Sequence, residues 1–186
     1  MSVKVNVLTR GRSFDSALYA VRRQLKAYGC WTKPVSDLDV YQTVFSLSYG
    51  YQKYKDTGDI VIPRVSVARV WDNFFGEGYV SIRDIIRHEY AHGIAHCHPK
   101  SVNTATFKKT FGGDHDSCER SSYDPEVHVT SYAAKNPCED FAEVFMFFLK
   151  HDGSIPKVFQ GLTAVEKKWS FVKNLCSRLK KMKQGK

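Results

Sequence analysis

The pentapeptide HEYAH at His88–His92 constrains this chain more than any other stretch, because its chemistry works only on a helix. Histidines spaced by four on an α-helix differ by about 40° in direction and about 6 Å in height, so both imidazoles can reach one ion. Zinc takes histidine nitrogen at about 2.0–2.1 Å, and a catalytic zinc site keeps three protein ligands and leaves the fourth position to water. Glu89 follows the first histidine, where its carboxylate can turn toward that water and act as a general base. The flanks agree: Ser81 and Asp84 read as an N-terminal cap, and Ile82, Ile85, Ile86 and Ile94 can face a core. A helix is expected from about Ile82 to His96.

A third ligand is needed, and Glu139 is the candidate. Asn136-Pro137 supplies a cap and a first-turn proline for the segment CEDFAEVFMFFLK, which Gly153 ends. Glu139 and Glu143 then lie on one face near the start of this second helix. One can bind zinc while the other accepts the free ring N–H of a ligand histidine and so fixes its tautomer. The rival is His98, since HEYAHGIAHCH approaches the pattern HExxHxxGxxH. The turn glycine of that pattern falls on Ala95, however, where a Cβ resists the left-handed conformation. His96 stands about 12 Å above His88 along the helix and is expected to cap it or face solvent. Asp114, His115, Asp116 and Cys118 have no recognised ligand spacing and read as a solvated loop; His128 is left between lining a cleft and lying on the surface.

The rest of the chain organises around these two helices. Its 186 residues suit one domain, and a hydrophobic fraction of 42% excludes disorder as the main state. Val3–Leu8 alternates as a strand, and Ser13–Tyr28 carries apolar residues at helical spacing up to Gly29. Val40–Leu47 and Asp59–Trp71 read as strands, with GYQKYKDTGD between them supplying the turn of a hairpin. Pro99–Ala134 reads as loop apart from a short helix over Thr104–Phe111. Thr163 and Glu166 form a capping box for a third helix, about 163–182, with Val165, Trp169, Val172, Cys176 and Leu179 as its apolar seam. The last 20 residues hold eight Lys or Arg of a chain whose net charge is +9. This helix can touch nucleic acid or acidic lipid, or simply dock with a solvated outer face. Five cysteines without a CxxC pair read as reduced thiols. No window approaches the roughly 18 apolar residues of a membrane span, and the chain start has no basic and apolar leader, so a cytoplasmic protein is expected.

HEYAH followed by the NPCEDFAE helix resembles the gluzincin branch of zinc metallopeptidases. The wording RHEYAH, FKKTFGGD and HVTSYAAKNPCEDFAEVF is also similar to a group of small bacterial metallopeptidases and, less closely, to the catalytic domain of anthrax lethal factor. The resemblance covers about residues 80–150 and nothing within residues 1–70. It implies one zinc per chain on His88, His92 and Glu139, with Glu89 as the base and Glu143 behind a histidine. It implies Tyr132 as the donor that stabilises the oxyanion. Glu143 stands where thermolysin-like members carry aspartate. The implied fold is α+β and zincin-like, a single domain over 1–186. In it a small mixed sheet packs on the HExxH helix, a second helix bears the glutamate, and one strand of Asp59–Trp71 forms the rim on which an extended substrate adds. The expected function is hydrolysis of a protein or peptide substrate. The alternatives are a basic nucleic-acid-associated protein with a structural zinc, or a SprT-like protease acting on DNA-bound proteins.

Overall fold

A computed structural model describes residues 11–46, 50–53, 58–66 and 81–184. Helix α1 (Gly11–Ala27) turns Phe14, Leu18, Val21 and Leu25 inward, as their helical spacing predicts, and the one-turn helix α2 (Lys33–Ser36) follows. Three strands come next: β1 (Asp39–Ser46), β2 (Gly50–Lys53) and β3 (Gly58–Ser66). Their order is β1-β3-β2, with β3 parallel to β1 and antiparallel to β2.

This sheet corrects two expectations. The hairpin joins β2 to β3, not the two long strands, because GYQK of the supposed turn is itself a strand. With Tyr51 as its one large apolar residue, it has no alternation to read. The Asp59 strand is also the central one among the described strands, so the edge beside the helix pair is β2. Among the described residues β2 pairs no further along β3 than Val61, so Pro63 lies beyond that pairing and stands opposite Thr43 of β1. The expected strand Val3–Leu8, and the ends of the two expected strands at 47 and 67–71, lie outside the described residues.

Helix α3 (Ile82–Cys97) begins where Ser81 Oγ accepts from the Asp84 N–H at 3.1 Å, as the sequence suggests. The sheet lies close on it: a Cβ at Gly93 would stand 2.6 Å from Leu38 Cδ1 and 3.5 Å from the Tyr51 ring. The stretch from Pro99 holds an unexpected one-turn helix, α4 (Pro99–Val102), and the expected short helix, α5 (Ala105–Phe111), then irregular chain to a 3-10 turn at Tyr132–Lys135. Asn136 Oδ1 accepts from the Glu139 N–H at 2.9 Å and so starts α6 (Pro137–Lys150), which packs on α3. After a second 3-10 turn, Lys157–Phe159, the last helix is α7 (Thr163–Gln184). Its Glu166 carboxylate reaches back to the Gly161 N–H at 2.8 Å, beyond the Thr163 partner that a capping box predicts.

The fold is thus α+β, with seven α-helices among the described residues and a small mixed sheet. The rings of Phe107, Phe111, Phe141 and Phe171, drawn from α5, α6 and α7, meet at 4.6–6.4 Å and lock the far side of the glutamate helix. No helix among the described residues is long and apolar enough to cross a membrane.

Candidate metal centre

Residues on two helices supply the centre. On α3 the four-residue spacing places His88 and His92 one turn apart, with Nε2 atoms 3.1 Å from each other. From α6, Glu139 Oε2 reaches His88 Nε2 at 3.0 Å and His92 Nε2 at 3.4 Å. A tetrahedral zinc with ligands at about 2.0–2.1 Å sets them roughly 3.3–3.4 Å apart, so these three atoms stand nearly at the corners of one coordination face. Two imidazole nitrogens and a carboxylate oxygen directed at one point are a donor set that needs positive charge between them. The three side chains are only 12%, 14% and 20% exposed, so water does little to screen the need.

The titration behaviour says the same. Burial works against a charged His88, yet the hydrogen bonds to Glu139 and Glu143 outweigh it and carry its pKa up to about 10. Burial likewise works against a charged Glu139, but His88 and His92 hold its carboxyl well below the usual range.

The groups behind the ligands set their tautomers. His88 Nδ1–H donates to Glu143 Oε1 at 2.7 Å, and Glu143 Oε2 accepts from Thr130 Oγ1 at 2.7 Å. A proton kept on Nδ1 makes Nε2 the ring nitrogen that could serve as a ligand atom once it gives up its own proton. His92 Nδ1 faces the Cys138 thiol at 3.2 Å, and burial pushes that thiol up to about 12. Glu89 is buried, and its Oε2 accepts the backbone N–H of Tyr51 on β2 at 2.6 Å. Tyr132 opens the 3-10 turn; its ring meets the His88 ring edge-on at 5.7 Å, and Lys135 Nζ lies over the Tyr132 ring, 3.7 Å from its centre. Of these residues Tyr51, His88, Glu89, His92, Tyr132, Cys138 and Glu139 line one open cleft of about 980 Å³ that runs on past α2 and α4.

The structure therefore brings together every residue the sequence nominates: His88, Glu89, His92, Tyr132, Glu139 and Glu143. The rivals lie elsewhere. His98 Nε2 bonds to Thr32 Oγ1 at 2.8 Å, and among the described residues His88, His92 and Glu139 are the one group placed to hold an ion. His96 does not cap α3; half-buried, it faces the open cleft, with its ring 5.7 Å from that of Tyr51. His128 is buried against Ser121, away from the cleft, and His115 and Asp116 reach the cleft edge while Asp114 pairs with Lys108. Sequence reasoning missed Thr130, Cys138 and the Tyr51 N–H. Cys138 alone had a local signal, as the neighbour of Glu139 in the first turn of its helix. Compared with known protein families, with curated proteins and with solved structures, the chain matches none.

Proposed function

We propose that this chain is a zinc-dependent peptidase of zincin-like architecture that hydrolyses peptide bonds in a protein or peptide substrate. One observation carries the reading: three ligand atoms converge from two helices beside a buried carboxylate, at the floor of an open cleft. His88, His92 and Glu139 would hold one zinc per chain. Zinc supplies a Lewis acid there, making water acidic near neutral pH and polarising a carbonyl.

The chain's own residues do the rest. Glu89 accepts the proton of the attacking water and later passes it to the leaving amine, while the Tyr51 N–H fixes which carboxylate oxygen remains available. The Tyr132 phenol, beside the His88 ring, donates to the carbonyl oxygen as negative charge builds on it. Glu143 keeps the His88 proton on Nδ1. The β2 edge above Glu89 offers main-chain groups to an extended substrate. A structural zinc calls for four closed ligands, and three ligands facing a cleft favour catalysis instead. A nucleic-acid-bound substrate is the second reading, favoured by the exposed Lys167, Lys173, Lys180 and Lys181 on α7 and by the lack of any acidic residue after Glu166.

The deciding experiment is Glu89→Gln. It removes the base and spares the ligands, so zinc should stay near one per chain while cleavage of a generic protein substrate falls by several orders of magnitude. Wild-type turnover by that variant sinks the mechanism, and a wild-type chain free of zinc after growth in zinc-replete medium sinks the metal site.

A further inference from the structure

We propose that Cys30 and Cys176 form a disulfide when the protein is oxidised, joining the corner after α1 to the C-terminal helix. All five cysteines are thiols in this structure. Cys30 and Cys176 are 146 positions apart, yet their sulfurs are 2.9 Å from each other in the core, with residue exposures of 0% and 3%. A disulfide needs about 2.0 Å, so the sulfurs have roughly 0.9 Å left to travel. Packing holds the two segments at that separation. Gly29, at φ +79°, sits so close to α7 that a Cβ there would stand 2.4 Å from Lys180 Cβ. Leu25, Val172 and Leu179 bury their side chains in the same core. Among the described residues no other pair of thiols is hydrogen-bonded.

The step balances with a small-molecule disulfide such as oxidised glutathione as oxidant. One thiolate attacks a glutathione sulfur, expelling one glutathione thiol, and the second thiolate resolves the mixed disulfide, expelling the other. The two protons lost by the cysteines end on the two expelled glutathione sulfurs, and the two electrons reduce the glutathione disulfide. In the folded chain the hydrogen bond with Cys176, together with burial, holds the Cys30 thiol well above its usual range, so few thiolates are present. The bond therefore forms fastest while the chain folds. Once made, it ties α7 to the corner that leads into α2, whose Lys33 and Pro34 wall the metal cleft. That tie is independent of the peptidase reading.

The test uses the full chain carrying Cys118→Ser, which removes an exposed thiol. The chain is refolded from denaturant in a reduced and oxidised glutathione buffer, alkylated without reductant, and mapped by mass spectrometry. The expected result is a peptide linking Cys30 to Cys176, with Cys97 and Cys138 alkylated. The thermal midpoint should rise by about 5–15 °C over the reduced chain, and the rise should vanish in Cys30→Ala and Cys176→Ala. Peptide mapping does not depend on those two variants folding. Because refolding passes through the open chain, burial cannot hide the pair. Full alkylation of both thiols, or linkage of either one to another cysteine, overturns the proposal.

Discussion

His88 holds a carboxylate on each ring nitrogen, Glu139 at Nε2 and Glu143 at Nδ1, and the two bonds have different consequences. If the proposed zinc site holds, losing the Nε2 partner would remove a ligand atom, whereas losing the Nδ1 partner would only free the ring to tilt and change tautomer. Glu139→Ala should therefore lose zinc on dialysis, Glu143→Ala should lose about 10- to 100-fold in zinc affinity, and His98→Ala should retain the metal, since His98 bonds to Thr32. Zinc content of the three variants after dialysis checks this order; retention by Glu139→Ala would remove it from the ligand set. The convergence of these side chains was legible in the sequence because four-residue spacing on a helix is a local property, true of His88 and His92 and of Glu139 and Glu143 before any packing is known, while the separate roles of the two glutamates came from the resemblance. Thr130, Cys138 and the Tyr51 N–H were not legible for the opposite reason. Each meets the site through a contact between segments far apart in the chain, and none carries a spacing that announces it.

The glutamate helix is held by two charge contacts, and each answers to a different perturbation. Toward α7, Lys168 Nζ meets Asp140 Oδ2 at 2.6 Å and donates to the Val127 carbonyl at 2.7 Å, with both charged residues only 2% exposed. Periodicity hid this lysine among the basic residues of a helix expected to point them outward. Lys168→Met leaves a buried carboxylate alone and should cost about 3–5 kcal/mol, with Asp140→Asn in the same chain recovering part of it. Urea unfolding of the single and double variants measures both. Toward α3, Asp84 Oδ1 accepts from Arg87 Nη1 at 2.6 Å and Oδ2 from Lys150 Nζ at 3.0 Å. Burial alone would raise the Asp84 carboxyl, but Lys150, Ser81 and Arg87 outweigh it and hold its pKa below the ordinary value. A carboxyl depressed in the folded state adds stability above its unfolded pKa, about 3.9, and loses it as pH falls through the folded value. The wild-type chain should thus lose stability below about pH 4 more steeply than Asp84→Asn, as acid titration of urea midpoints would report; parallel curves would remove Asp84 from the acid transition. The hairpin error belongs to this scale as well, since β2 is too short and too polar to display a period and exists by pairing with β3.

At the scale of the molecule, the inward faces of α1, α3 and α7 followed from apolar periodicity and the place of α6 from its cap, while strand order did not follow, because a parallel neighbour is chosen by tertiary packing. Charge distribution is the remaining global feature. A net charge of +9 is concentrated toward the C-terminus, where α7 buries Val165, Trp169, Val172, Cys176 and Leu179 and turns Lys173, Lys180 and Lys181 to solvent. A solvated face and a phosphate-binding face look alike in shape and differ in salt response. Each lysine that neutralises a duplex phosphate releases counterions and contributes about 0.9 to the slope of log affinity against log salt, so Lys173, Lys180 and Lys181 together should contribute about 2 to 3. The expected outcome for a DNA-directed peptidase is binding to a mixed-sequence duplex at low ionic strength that weakens steeply with added salt. Replacing the three lysines with glutamine should flatten that slope while zinc content and cleavage of a DNA-free protein substrate stay unchanged, since the lysines lie outside the cleft lining. Titrations of both proteins across a salt series measure the difference. An intact chain that fails to bind the duplex at low ionic strength reduces the α7 lysines to a solvated face and leaves substrate choice to the cleft.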